Sequence, residues 1–382
     1  MKKIFSTLLF VTIVALPLYV IRFNIGPIPT TLLEILIYIT FIFALISGAL
    51  SKTRNKWGLI FGGLFALVAV IGVLVDPDKI RALGLWKAYF FDGFLFYLSI
   101  LAYLSADKSG SKKLVNALFY VGVLASILAL FNYFEGVKST DGRLLDFDRL
   151  SPNYLAMFLS PILAADLGLI AIGKNIREKI FQILLAVFFI IILIMTGSRG
   201  AAVALGVSVL VLLLYFALKT NYKLIARVSF LVALAAFLAG SFWYFRPDFT
   251  SHERKATSSN VRRYIWLTST EMIGKNPVLG VGLSNYQDYF SNLTKDRVNY
   301  PEFISPQALT AHNLYLQLYL TTSVFGLIIF VIFVIFSKFW KLKFLPASLA
   351  LIAILAYGLV DTPFFRNDLS AMFWIVTAML LV

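Results

Sequence analysis

Apolar runs of roughly 17–25 residues recur along nearly the whole chain, separated by short polar breaks. Runs of that length cross a hydrocarbon core as helices, because a helix satisfies every backbone polar group within its own segment. The pattern predicts twelve spans, near 4–21, 28–50, 57–75, 83–104, 113–134, 152–172, 178–197, 199–218, 224–245, 312–336, 345–361 and 369–382. One stretch breaks the rhythm. From Arg246-Pro247-Asp248 to His312-Asn313 the chain stays polar, which is costly between membrane helices unless the segment binds or reacts with something. Within it, Ser258-Ser259-Asn260 suits a helix start. Val261, Ile265, Thr268, Met272 and Ile273 follow as an apolar stripe at helical spacing. Asn276-Pro277 ends that helix, Gly280-Val281-Gly282 permits a tight turn, and a second short helix is expected at 284–296. These helices are expected to lie along the membrane surface, apolar face down, rather than to form a separate domain.

The expected fold class is therefore an all-α integral membrane protein with about twelve transmembrane helices and one large helical periplasmic loop. It divides as 1–245 (spans one to nine), 246–311 (loop) and 312–382 (spans ten to twelve), in one integrated domain. Composition agrees: 60% of the residues are hydrophobic and 14% charged, against about 25% charged in soluble domains. The chain has no cysteine and two histidines, His252 and His312. That excludes disulfides, thiolate sites and a three-histidine metal site.

The net charge of +15 would suit a nucleic-acid binder, but its placement argues otherwise. Six short segments (Lys2-Lys3, 51–57, 105–113, 173–179, 219–227 and 337–343) hold 17 of the 34 Lys and Arg and only two acids, Asp107 and Glu178. Together they carry the whole net charge of the chain. They are alternate loops of the predicted topology, so the excess reads as the positive-inside signal, with both termini cytoplasmic. The first apolar run is long for a signal peptide and has no A-x-A site after it, so an uncleaved first helix is expected. Glu34, Lys87, Asp92 and Asp166 fall inside spans and are functional candidates on that ground. Lys87 and Asp92 are five apart, which fits a structural pair as well as a relay.

Three basic residues gather on the predicted outer side: Arg199 in the tight turn 196–200, Arg262 at the start of the loop helix, and His312 at the start of the tenth span. Guanidinium groups grip phosphate oxygens with paired donors, which suits a lipid diphosphate at this depth. A histidine titrating near neutrality can take a proton from a hydroxyl. The plainer alternatives are a snorkelling or headgroup-anchoring Arg199, a surface Arg262, and a His312 satisfied by a carbonyl. Tyr264 and Trp266 read more readily as interfacial anchors than as sugar platforms. Two D-x-D triplets in outer loops, Asp76-Pro77-Asp78 and Asp146-Phe147-Asp148, raise a rival metal chemistry. Solvated loop acids, or pairs of Asp146 or Asp148 with Arg143 or Arg149, are the ordinary reading of these triplets. Gly280-x-Gly282 lacks the preceding strand and third glycine of a dinucleotide fingerprint.

Thr196-Gly197-Ser198-Arg199-Gly200-Ala201 resembles the Ser-Arg-Gly turn of the O-antigen ligase/polymerase superfamily. Arg262-x-x-x-Trp266 followed by Asn276-Pro277-Val278-Leu279-Gly280-Val281-Gly282 is similar to that family too. So are Ala311-His312-Asn313-Leu314-Tyr315-Leu316-Gln317, leading to Gly326-Leu327, and the helix start Pro152-Asn153-Tyr154-Leu155-Ala156. The resemblance covers about residues 140–340. It implies a helix bundle that transfers glycans from undecaprenyl diphosphate at the periplasmic face of the bacterial inner membrane. It implies that Arg199 and Arg262 bind the donor diphosphate and that His312 is the base or acceptor-positioning residue. Arg263, Asn313, Arg149 and Asn153 are further candidates, and no metal or other cofactor is expected. The function read from it is an O-antigen ligase acting on a lipid A-core hydroxyl. An O-antigen polymerase and a protein O-oligosaccharyltransferase are the alternatives, and a polysaccharide flippase or transporter is the reading from a different class. The expected partners are the lipid-linked glycan, the lipid A-core acceptor and membrane lipids, with no nucleic acid.

Overall fold

In a computed structural model, residues 1–26, 28–53, 56–107, 109–219, 227–234, 258–296 and 308–381 are described. The helices are α1 (Lys2–Val14), α2 (Leu32–Ile46), α3 (Lys56–Val68), α4 (Val70–Val75), α5 (Lys79–Trp86), α6 (Asp92–Ala106), α7 (Gly110–Phe134), α8 (Pro152–Ile172), α9 (Ile176–Thr196), α10 (Arg199–Lys219), α11 (227–234), α12 (Ser258–Lys275), α13 (Tyr286–Thr294), α14 (Leu314–Phe336), α15 (Leu345–Tyr357) and α16 (Asn367–Leu380). Short 3-10 or π turns extend or join several of them, so α3–α4 and α5–α6 each run on as one rod. Among the described residues, seven helices are long and apolar enough to cross a membrane; α2, α15 and α16 are shorter apolar helices. This is a multi-pass membrane protein. The predicted span 224–245 lies outside the described residues except for α11, as do Arg246-Pro247-Asp248 and His252.

The second span starts later than its hydropathy suggests. Residues 28–31 pair instead as a short antiparallel hairpin, β1 (Arg22–Ile25) with β2 (Ile28–Thr31), in the register Arg22 to Thr31. Pro29 cannot donate to a helix ladder, and Thr31 is the N-cap of α2. Its hydroxyl accepts from the Glu34 amide while the Glu34 carboxylate accepts from the Thr31 amide. That reciprocal box satisfies two amides that the first turn would otherwise orphan. Glu34 also binds Lys87 and accepts from the Asn367 amide. Lys87 thus pairs with Glu34 rather than Asp92, which lies beside Tyr38. Asp166 is fully buried in α8.

α8 is the pivot of the bundle, packed against α7, α9, α10 and α15, while α16 packs on α6 and α14 on α3. The polar breaks sort to two ends. At one, Lys112 pairs with Glu178 at 2.7 Å, joining two of the basic loops. At the other, Arg22 meets Asp148 at 3.2 Å, Arg81 meets Asp288 at 3.4 Å, and the Arg366 guanidinium reaches Asp146 at 2.6 Å. The loops predicted to share a side therefore touch one another.

α12 and α13 pack on this second end. The buried faces of Ile265 and Met272 join Val281, Tyr286, Phe290, Ala311 and Leu320 in a small apolar cluster separate from the main core. The intervening turn docks on α14, which is not continuous: Ser323 sits at φ 82°, ψ 168°. There the Val281 amide donates to the Leu320 carbonyl at 2.7 Å, and the Val324 amide donates to the Val278 carbonyl at 3.1 Å. A helix interrupted inside a bundle leaves backbone groups unpaired, and the Asn276–Ser284 segment supplies the partners. Gly280, at φ 74°, lies so close to the Leu320 carbonyl that a β-carbon would collide with it.

Candidate functional site

Four pieces of chain converge at the end of the bundle that carries α12. The first is the α9–α10 turn. Gly197 takes the left-handed conformation that stops α9, and Arg199 opens α10 two residues later. The Ser198 hydroxyl shares a 2.6 Å hydrogen bond with the Tyr357 hydroxyl, and Gly200 lies flat on the same ring, where any side chain would clash. The Ser and Gly of the motif thus seat the turn on α15 and leave Arg199 exposed between them.

The second piece is α12. Arg262 is on its buried face, one turn before Ile265, while Arg263 points the other way and is exposed. The Trp266 indole donates to the His312 carbonyl at 3.1 Å. That contact makes Trp266 a strut between α12 and the start of α14 rather than a headgroup anchor.

The third piece is the start of α14. His312 sits at φ 45°, a conformation uncommon outside glycine, though histidine, asparagine and aspartate adopt it more often than other residues. Asn313 is the N-cap: its side-chain oxygen accepts from the Tyr315 and Leu316 amides, and its side-chain nitrogen donates to the Leu359 carbonyl at 2.9 Å. Cap and strut together over-determine the backbone around His312, which is what holds an unfavourable φ in place.

The fourth piece was not anticipated from sequence. Asp361, in the turn between α15 and α16, is 3% exposed and connects the others. Its Oδ1 lies 3.1 Å from His312 Nδ1 and accepts from the Thr362 amide; its Oδ2 lies 3.6 Å from Arg262 Nη2. Burial alone would raise its pKa, but His312, through its charge when protonated and its hydrogen bond, outweighs that with the Arg262 guanidinium and holds it below the usual carboxylate value. Asp361 is therefore a buried anion fixed between two cationic or proton-bearing groups. The His312 side chain is 35% exposed, so its ring is reachable from outside while Nδ1 is engaged within. Arg199 is within electrostatic reach of both Arg262 and Arg143.

Arg262 and His312 therefore meet on one carboxylate, with Arg199 alongside. Arg149 and Asn153 are placed differently. Arg149, at φ 62°, gives its guanidinium to the Asn132 side-chain oxygen at 3.1 and 3.2 Å. Asn153 is in the first turn of α8, and its carbonyl lies 3.5 Å from the Tyr357 hydroxyl. Its link to the Ser-Arg-Gly turn runs through that ring.

The acids of the two D-x-D triplets already have protein partners. Asp76 takes the Ser284 amide and hydroxyl and the Asp78 amide. Asp78 caps α5 through the Arg81 amide. Asp148 pairs with Arg22 and Tyr19. Asp146, wholly buried, joins Arg366, whose Nε and Nη2 grip Asp368 at 2.7 Å each. Arg366 also stacks over Tyr19, Phe147 and Tyr154. Neither Asp146 nor Asp148 pairs with Arg143 or Arg149; Arg143 binds Asp141 at 2.6 Å, an exposed contact that holds Asp141 down to about 2. The buried Asp146–Arg366–Asp368 triad fixes the turn that presents Asp361. A signal for this turn was in the sequence: three charges within eight residues between two apolar spans.

Residues 184–331 match the family model described as O-Antigen ligase. The match contains Arg199, Arg262 and His312 and stops before Asp361. No curated protein matches the chain. The stretch holding these three residues is thus similar to an O-antigen ligase/polymerase type of glycosyltransferase family.

Proposed function

We propose, from the premise of that family match in a multi-pass membrane protein, that the chain transfers a glycan from undecaprenyl diphosphate to a sugar hydroxyl of lipid A-core. The reaction takes place at the periplasmic face of the bacterial inner membrane and needs no metal. The observation that carries this reading is the single carboxylate, Asp361, shared by His312 and Arg262 beside Arg199.

Each group then has a task. Asp361 accepts the Nδ1–H of a neutral His312, which fixes the tautomer and turns Nε2 toward the acceptor hydroxyl. His312 Nε2 takes the hydroxyl proton as the oxygen attacks the anomeric carbon. The bond from that carbon to the diphosphate oxygen breaks, and its electron pair leaves with the diphosphate. Arg199 and Arg262 stabilise the charge that builds there, in surroundings drier than water, where such donors are worth more. The imidazolium formed is balanced by Asp361. The donor supplies the driving force, so the step needs no nucleotide.

An O-antigen polymerase would use the same machinery with a second carrier-bound glycan as acceptor. A protein O-oligosaccharyltransferase would place a side-chain hydroxyl there. A transporter could use an Asp–His pair as a proton relay, so product formation by purified protein, not the pair itself, separates the two readings. The test is transfer by purified protein in detergent from undecaprenyl-diphosphate glycan to rough lipopolysaccharide, with and without EDTA. Product that survives EDTA and is lost in His312→Ala supports the proposal. A strict need for a divalent cation overturns the arginine mechanism, and chain growth on the carrier without transfer to lipopolysaccharide reassigns the protein as a polymerase.

A further inference from the structure

The end of the bundle opposite this site holds a cavity of about 510 Å³, enclosed by the starts of α3 and α7, the α14–α15 turn and the end of α16. Three lysines line it, Lys112, Lys338 and Lys343, with the Ser109 and Ser111 hydroxyls at the start of α7. No carboxylate side chain lines it among the described residues. Glu178 already neutralises one of the three lysines, Lys112, at 2.7 Å; Asp107 holds Lys113 at 2.7 Å and accepts from the Ser109 hydroxyl at 2.7 Å. Lys338, left-handed at φ 56°, and Lys343 flank the short turn between α14 and α15, and both are exposed. The two ammonium groups of Lys338 and Lys343, which no carboxylate lining the cavity compensates among the described residues, favour an anion between them.

The rest of the wall is apolar. Trp57 and Phe336 line the cavity, their rings stacked 5.9 Å apart, and Phe61 stacks on Phe336 at 4.2 Å. Trp57 is 60% exposed, an aromatic plate at the mouth. A free phosphate would leave this half of the hollow unoccupied. A phospholipid fills both halves, headgroup among the lysines and acyl chains over the aromatic plates, the arrangement by which basic pockets between helix ends hold acidic lipids. The positive-inside pattern puts this end in the cytoplasmic leaflet. We propose that this cavity is a binding site for an anionic phospholipid of that leaflet. It joins the ends of α14, α15 and α16, whose far ends present His312, Asp361 and Arg366, so the bound lipid ties together the helices that frame the site.

The test reads binding and not transfer, so it stands apart from the proposed reaction. Full-length protein is released from mixed phosphatidylcholine–phosphatidylglycerol nanodiscs and its retained lipid identified by native mass spectrometry. Wild type is expected to keep phosphatidylglycerol in preference. The Lys338→Gln/Lys343→Gln double variant should lose roughly tenfold or more of that retention, and Lys341→Gln, in the same turn but outside the cavity, should keep it. Equal retention in the double variant, or an equal loss in Lys341→Gln, overturns the site. Wild-type thermal unfolding gives a second reading that does not depend on the variants folding. Phosphatidylglycerol should raise the midpoint and phosphatidylcholine should not. Equal protection by inorganic phosphate, or displacement of the phospholipid by equimolar polyprenyl diphosphate, also overturns it.

Discussion

A carboxylate held between an imidazole and a guanidinium does two jobs, and they separate by experiment. Toward His312, Asp361 selects the tautomer; toward Arg262, it is a counter-charge. Asp361→Asn keeps the shape and removes the charge, so kcat should fall by about 10²-fold or more with little change in donor KM. A parallel rise in KM would place Asp361 in donor binding instead. The stability effect has a definite sign. The folded pKa of Asp361 lies below its unfolded value, so its contribution is present above about pH 4 and is lost as pH falls through the folded value. The gap in thermal midpoint between wild type and Asp361→Asn should be full at neutral pH and close in acid. Arg199→Lys tests the other side of the site. A point charge cannot reproduce a two-pronged grip, so donor KM should rise and kcat fall, and full activity in that variant would remove Arg199 from the mechanism. The sequence pointed to Arg199, Arg262 and His312 by their place on the predicted outer side and in motifs resembling one family, and the structure brings Arg262 and His312 onto one carboxylate with Arg199 nearby. Asp361 was hidden by being one acid in a short turn whose partners lie 49 and 99 residues away in the chain.

At the scale of elements, the hydropathy pattern located the helices well, and most departures arose where polar contacts set an end. Pro152 opens α8, the 196–200 turn separates α9 from α10, Lys275 ends α12, and α13 forms within its expected range. The second span began four residues late because a capping box at Thr31 and Glu34 fixed its start. The break in α14 could not be read, since nothing in the apolar run around Ser323 announces it; its cause is the Asn276–Ser284 segment bonding to Leu320 and Val324. That contact explains the glycine at 280 better than turn geometry alone. Gly280→Ala adds a side chain at positive φ against a backbone carbonyl and should cost roughly 1–3 kcal/mol, read as a lower thermal midpoint. The larger expected loss is at Arg366. Burial alone would lower its pKa, but Asp368, Tyr19 and Asp146 more than offset that and keep it charged. Arg366→Met would strand two buried carboxylates, at a cost of roughly 3–5 kcal/mol. Arg366→Met/Asp146→Asn should recover part of it, because one stranded charge is removed.

For the whole molecule, charge placement and structure point to the same two-ended design by independent routes. The sequence assigns ends by where lysine and arginine accumulate; the structure joins the basic loops 105–113 and 173–179 at one end and the charge-balanced loops at the other. The direction in which His312 opens follows from the positive-inside bias. Two exposed positions at opposite ends decide it, and the absence of cysteine makes single-thiol labelling clean. Arg263→Cys places a thiol on the outward face of α12, beside the buried Arg262. Lys341→Cys places one in the basic α14–α15 turn. In intact spheroplasts an impermeant maleimide should label Arg263→Cys and leave Lys341→Cys unmodified until the membrane is opened. The reverse pattern would turn the site toward the cytosol, and the proposed transfer at the periplasmic face would fall with it even though the packing of Asp361 against His312 would stand.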